Sequence, residues 1–270
     1  MKLLIKFQHC IFKLLPAFRG KLRIARFFIW DKKNEQTFIT SKGIKYSCPN
    51  LIETVSFELF INGIYEKDTI EFICNSIPVN GVFVDIGANI GSICIEVAIA
   101  RPDISVYAFE ASPKVFSYLE RNKLQNNLQK LFVFNLAIHE HNDIELPFYS
   151  RNYYNGQGSF LHLTSEIPEM VKTLRLENFF HAQGLLPDFI KIDVEGYELL
   201  VLKSLSNFLQ VNKPVILFEF IAFSEEAANF DIGAAQNYLL EYGYCLTSLT
   251  GNKKISNALL VGSEMIIAKI

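Results

Sequence analysis

Apolar and polar positions follow two different periods along this chain, and the order in which the periods succeed one another defines an architecture. From Asn80 onward, short β-rich runs alternate with helical patterns, which is the arrangement that gives a mostly parallel sheet covered by helices on both faces. Gly81 releases the chain into a first strand, Val82-Phe83-Val84-Asp85-Ile86, and Ile90 to Ala100 then predicts a buried helix stopped by Arg101-Pro102. A second strand over Ile104 to Phe109 ends on Glu110. Ser112-Pro113 opens the next helix with a capping residue followed by proline at the first helical position. Val115, Phe116, Leu119 and Leu124 keep helical spacing until Gln125-Asn126-Asn127, and Leu131 to Leu136 predicts a third strand.

Between His139 and Met170 the pattern weakens into polar text with Gly and Tyr, broken by a short strand signal at Ile144 to Phe148. Irregular connections this long in a compact domain are usually binding loops or lids, so this stretch is expected to be a functional loop or an inserted hairpin. Regularity returns with a strand over Phe189 to Ile192, a helix from Tyr197 to Leu209, and a strand from Val215 to Phe218 ending on Glu219. A helix over Ala234 to Glu241 and strands near Tyr244 to Ser248 and Glu264 to Ala268 follow. Residues 51–270 are therefore expected to form one catalytic domain, with helices over residues 50–80 beside the first strand and residues 1–50 as a basic, apolar, helical extension.

Composition changes this picture little. Half of the 270 residues are hydrophobic and 24 are Phe, enough for a sizeable core. A formal charge of -2 gives no general field for phosphate backbones, so nucleic acid is not an expected partner. The five cysteines, Cys10, Cys48, Cys74, Cys94 and Cys245, are scattered without a Cys-x-x-Cys pair, which points to a reducing cytoplasm and against a disulfide framework or cysteine-rich zinc site. The first 30 residues mix apolar side chains with seven Lys and Arg and with Pro16. They contain neither a spanning run of about 18 uncharged residues nor a clean signal peptide. Such a segment either covers the core with its charges solvated or lies peripherally on an anionic membrane.

The chemistry concentrates where the first strand turns into the first helix, at Asp85-Ile86-Gly87-Ala88-Asn89-Ile90-Gly91. In doubly wound sheets ligands bind at this carboxyl edge, and glycine allows both the tight turn and close approach to the backbone. Dinucleotides and S-adenosylmethionine compete for such a turn. A carboxylate at Asp85 repels a pyrophosphate and favours the amino group of a methionine moiety, and the Gly-x-Asn-x-Gly spacing lacks the Gly-x-Gly-x-x-Gly fingerprint. S-adenosylmethionine is the expected cofactor. Glu110 stands at the end of the second strand, where Rossmann-type sheets place an acid that accepts hydrogen bonds from ribose hydroxyls, and Ala137 is placed to adjoin the adenine.

These residues resemble the FkbM family of methyltransferases. The resemblance runs from Phe57 to Glu219 through Phe83 to Gly91, Ala108-Phe109-Glu110, Leu119-x-x-Asn122-x-x-x-Asn126, Asn135-Leu136-Ala137 and Ile190-Lys191-Ile192-Asp193-Val194-Glu195-Gly196-Tyr197-Glu198. It implies a Rossmann-like class I methyltransferase fold with a seven-stranded sheet, cofactor contacts at Asp85, Gly87, Asn89, Gly91 and Glu110, and O-methylation of sugar or natural-product hydroxyls. Ala111 stands where the family usually has proline, and Leu176-Glu177 where Leu-Asp is usual; both departures bear on subfamily and acceptor.

Methyl transfer from a sulfonium is an in-line displacement, so the protein must hold the acceptor oxygen and remove its proton. Asp193 and Glu195 follow the fourth strand beside the switch point. Asp193 and Glu195 are the candidate catalytic residues: Asp193 is the expected base or acceptor-positioning group, with a helix N-cap as its competing role, and Glu195 has a structural role, capping the helix from Gly196, as its competing one. Glu219 is a further wall residue. His139-Glu140-His141 lacks the spacing and third ligand of a zinc site, so no metal is expected. Tyr153 and Tyr154 with Gly156 to Phe160 form a candidate sugar-stacking lid. A nicotinamide-dependent oxidoreductase and a catalytically silent cofactor-binding module remain as alternatives.

Overall fold

The computed structural model describes residues 2–16, 18–151, 154–159, 168–249, 254–255 and 263–270. Its main sheet contains β1 (Val82–Ile86), β2 (Ser105–Phe109), β3 (Leu131–Phe134), β4 (Phe189–Ile192), β5 (Val215–Ile221), β6 (Cys245–Ser248) and β7 (Ser263–Lys269). Their spatial order is β3-β2-β1-β4-β5-β7-β6, with the two-residue strand Lys254–Ile255 along β6. β1 to β5 pair in parallel, whereas β7 runs antiparallel to both β5 and β6. This is the Rossmann-like class I arrangement, and the chain order reverses between β1 and β4, where such sheets open a crevice.

Strands buried on both faces read as near-continuous apolar runs, and each side chain goes to one face by the period of two. Phe83 and Phe189 pack into one hydrophobic cluster with Ile73, Ile95 and Leu119. Val84, Ile86, Ile190 and Ile192 enter the other, with Phe180, Leu205 and Leu209. Asp85 and Lys191 share the face of the two phenylalanines, two residues further along each strand.

The helix after β1 is Cys94–Ala100, four residues shorter at its start than the pattern predicts. Asn89 and Gly91 adopt φ of 52° and 91°, which no α-helix accommodates, so the turn extends to Ile93. Ser112 caps the helix Pro113–Gln125 by accepting from Val115 N at 3.3 Å, as its sequence predicts. β3 stops at Phe134 rather than Leu136. Ala137–Ile138 instead begins a small sheet with Glu169–Leu174, Glu145–Arg151 and Tyr154–Ser159. The expected hairpin is present within it, and Glu169–Leu174 is an unpredicted strand. The helix expected over Tyr197 to Leu209 is two, Glu198–Lys203 and Ser206–Val211. Ala234–Glu241 forms as predicted, while the helix Ala222–Ala227 was not foreseen.

Residues ahead of β1 form helices Lys2–Leu14, Lys21–Phe28, Thr54–Asn62 and Lys67–Ser76 and a hairpin of Gln36–Ile39 with Lys45–Cys48. Ile5, Phe12, Ala25, Ile29 and Phe38 join the same cluster as Phe57, Phe60 and Ile90, so this segment completes one face of the domain. Asn122 locks it in place: its buried amide donates to the carbonyls of Ser47 and Ile90 at 3.0 and 2.9 Å and accepts from Ser47 N at 2.6 Å. All five cysteines are free, and no described helix is long and apolar enough to cross a membrane.

Candidate active site

A cavity of about 330 Å³ opens at the carboxyl ends of β1, β2, β4 and β5, within the range of about 300–1,000 Å³ typical of small-molecule sites. Its geometry starts at Gly87, whose φ is 77°. A Cβ there would lie 1.8 Å from the Asp193 carbonyl oxygen, so only glycine lets the loop after β1 lie directly against the loop after β4. Gly87 N and Ala88 N both donate to the Phe109 carbonyl at 3.0 Å, and Asp193 N donates to the Ile86 carbonyl at 3.0 Å. The ends of three strands are thereby fixed together.

Glu110 occupies the wall just past β2 and is 8% exposed. Its carboxylate accepts from Asn89 N and Ser112 N, both at 2.9 Å. Burial nevertheless pushes its pKa up to about 7, with Asp85 and Glu53 adding like charge. Asn135 donates to the carbonyls of Glu110 and Ala111 at 2.8 and 2.9 Å, steering the chain after β3 so that Leu136, Ala137 and Ile138 form an apolar wall near Phe109.

Opposite them lies a charge cluster that joins the expected Asp85 and Asp193 through Lys191, which the sequence did not single out. The parallel register sets Lys191 beside Asp85. Lys191 Nζ lies 3.4 Å from Asp85 Oδ1 and 3.2 Å from Asp193 Oδ2, with Asp85 wholly enclosed and Asp193 partly open to the cavity. Burial works against the charge on Lys191, but Asp193, Asp85 and Glu66 outweigh it and hold the ammonium above its usual range. Burial raises Asp85. Tyr65 joins this wall and is also raised, first by burial and then by Glu66 and Asp193.

Glu110, Gly87, Asn89, Ala137, Asp193, Glu195 and Glu219 all line the cavity. Asp85 and Gly91 do not. Asp85 acts on the site through Lys191, while Gly91 serves packing, since a Cβ there would meet Ile95 and Leu119 side chains at 2.6 and 2.9 Å. The helix after this loop has Tyr197 at its N-cap, with no side-chain cap bond, and Glu198 instead braces the loop ahead of it: its carboxylate accepts from Val194 N and Gly196 N at 3.1 and 3.2 Å, and burial pushes its pKa up to about 8. The helix itself begins at Glu198, so neither Asp193 nor Glu195 is its N-cap. The signal for Glu198 was the acid two residues after a glycine, and that for Lys191 was a cation inside an otherwise apolar strand.

His141 N donates to His139 Nδ1 at 3.0 Å, and no group of three or more metal-ligating side chains occurs among the described residues. Of the suggested lid, Tyr153 and Phe160 lie outside the described residues; Tyr154 to Ser159 form a strand whose side chains also lie outside that description. Phe148 of the same small sheet does reach the cavity wall.

The family described as the Methyltransferase FkbM domain matches residues 85–246, more than half of the chain. No curated protein gives a significant match. Solved structures similar to this chain include a precorrin-6y C5,15-methyltransferase from Geobacter metallireducens GS-15, with 13% identity over 77% of this chain and 93% of that one, at a TM-score of 0.43. An rRNA methylase from Streptococcus thermophilus has 10% identity over 74% and 93%, at 0.42. TYW2 from P. horikoshii, in complex with MeSAdo, has 13% identity over 89% and 72%, at 0.46.

Proposed function

The chain belongs to the FkbM methyltransferase family, and from that premise we propose that it binds S-adenosylmethionine in this cavity and methylates a hydroxyl of a sugar, glycan or natural-product-like acceptor. The observation that carries the reading is the charge of the wall. Among the described residues, Glu53, Glu110, Asp193, Glu195 and Glu219 face the cavity against a single cation, Lys191. Such a wall repels the diphosphate of a dinucleotide and attracts a cofactor bearing a sulfonium and an ammonium. The selection first assigned to Asp85 alone is thus a property of the whole wall.

The donor set suits the cofactor. Glu110 supplies a carboxylate for two ribose hydroxyls at the end of β2, and Phe109, Leu136, Ala137 and Ile138 offer an apolar berth for adenine. S-adenosylmethionine supplies an electrophilic methyl carbon. The remaining work falls to the chain: Asp193, steadied by Lys191 and by its own N–H on Ile86, accepts the proton of the acceptor hydroxyl. The contact of Gly87 with Asp193 keeps that carboxylate at a fixed offset from the cofactor loop.

Labelled methyl transfer to a panel of sugars, nucleotide sugars and glycolipids tests the reading, together with calorimetric titration of S-adenosylmethionine and NADH. Asp193→Asn should lower turnover by roughly 10²–10⁴-fold while leaving cofactor affinity nearly unchanged. Saturable heat from NADH alone refutes the cofactor assignment, and wild-type turnover in the variant removes Asp193 from the base role.

A further inference from the structure

The chain is charge-segregated. Its first 30 residues carry seven Lys and Arg and no Asp or Glu, a net of +7. The other 240 residues hold the remaining 19 basic and all 28 acidic side chains, a net of -9. Exposed apolar side chains gather in the same place. Of the 21 large hydrophobic residues exposed among the described residues, nine lie between Phe7 and Trp30.

The helices explain how these residues come to face outward. Lys2–Leu14 buries Ile5, His9 and Phe12, with the His9 ring nitrogens 2.7 Å from the Phe60 carbonyl and 3.1 Å from that of Ile39. Phe7, Ile11 and Leu14 repeat the helical spacing on another stripe and remain exposed. Lys21–Phe28 likewise buries Ala25 and leaves Ile24, Phe27 and Phe28 outside; Trp30 follows at 81% exposed. Gln8 Nε2 donates to the Phe28 carbonyl at 2.8 Å and Lys21 Nζ to that of Leu15 at 2.9 Å, so both helices form one fixed region. Arg19 and Arg23 are exposed within it.

Nine exposed large apolar side chains on two connected helices and the residues that follow them mark an interaction surface, and the charge of the segment selects the partner. Pairing of this region with its own counterpart in a second copy would bring +7 against +7. A nucleic acid would satisfy the arginines but offer nothing to Leu14, Phe27 and Trp30. A bilayer with anionic headgroups matches both features, since arginines meet the phosphates while aromatic and leucine side chains enter the acyl boundary. We propose that residues 7–30 dock this protein on an anionic lipid surface. The same helix borders the cavity, because Arg26 donates to Thr54 Oγ1 at 3.5 Å and Thr54 is a wall residue; docking therefore brings the cavity near the membrane. The inference is independent of how the cavity is read.

Trp30 is the sole tryptophan of the chain, so its emission reports this region directly. With the whole 270-residue chain, vesicles of phosphatidylglycerol and phosphatidylcholine should shift the emission to shorter wavelength and co-sediment the protein, and pure phosphatidylcholine should not. Arg19→Glu with Arg23→Glu should weaken partitioning by at least about thirtyfold at low salt, and Leu14→Ser with Phe27→Ser by roughly tenfold or more. All four side chains are exposed, and circular dichroism checks that each double variant stays folded. Unchanged Trp30 emission, equal partitioning into neutral vesicles, or variants that bind like the wild type overturn the proposal. So does an emission shift produced by protein concentration alone, or by duplex DNA without lipid.

Discussion

Lys191→Met tests the electrostatic centre of the site. Lys191 is 3% exposed and Asp85 is fully enclosed, so neither charge can recruit bulk water if the other is lost. Methionine has similar volume, so the substitution removes the charge without opening a large cavity. The Asp85 carboxylate is then left enclosed without its cation, and breaking such a buried pair costs about 3–5 kcal/mol. Proton uptake sets a ceiling on that cost. From an unfolded value of 3.8, holding Asp85 protonated at pH 7 costs about 4 kcal/mol, at 1.36 kcal/mol per pH unit, and at pH 5 only about 1.6. The sign follows from linkage: an acid whose folded pKa is raised binds more protons folded than unfolded, so the variant loses stability as pH rises from 3.8 towards that raised value. Asp85→Asn added to Lys191→Met removes both charges and should return stability to within about 1 kcal/mol of the wild type. Urea denaturation of the three proteins at pH 5 and pH 7 gives the answer. A penalty below about 1 kcal/mol at pH 7, the same penalty at both pH values, or a double variant as unstable as the single one refutes the pairing account.

Two more outcomes follow from the cofactor side. Glu110 is raised to about 7 by burial, and its ionised form is the better acceptor for ribose hydroxyls, so affinity for S-adenosylmethionine should fall as pH drops through about 7. Titration at pH 6 and pH 8 should show that step, and Glu110→Gln should abolish it while weakening binding by roughly 10–100-fold; a step that persists in the variant assigns it to another group. Gly87→Ala places a methyl group 1.8 Å from the Asp193 carbonyl oxygen at a φ of 77°, and should cost more than about 3 kcal/mol in denaturation experiments. Wild-type stability would show that the two loops can part.

The strands that build the crevice were readable because their apolar runs end abruptly in Asp85, Glu110 and Asp193. The start of the first helix was not, since Ile90 to Ala100 is apolar throughout and only the left-handed turns at Asn89 and Gly91 delay it. Glu169–Leu174 escaped because Glu-Met-Val-Lys-Thr-Leu lacks a strict two-residue alternation, and its strand form rests on pairing with Ala137–Ile138 on one side and Glu145–Arg151 on the other. Lys191 could be recognised only after pairing: inside Phe-Ile-Lys-Ile it looks like an interruption, and its partner lies 106 positions earlier, made adjacent by the register. Glu219 was readable as a wall residue because it ends an apolar strand run, whereas Glu53 comes from a segment remote from the glycine turn, which no local motif could join to it.

The backbone contact between Gly87 and Asp193 also bears on how acceptor preference can diversify. No side chain can be inserted at that junction, so the loop after β1 and the loop after β4 must move or stay as one piece. Accommodation of a larger or differently shaped acceptor is left to the periphery, to Phe148 and Ile138 of the small sheet and to Thr54 and Val55 at the opening of their helix. Altered acceptor range is therefore best sought by recombining those rim positions over an untouched floor.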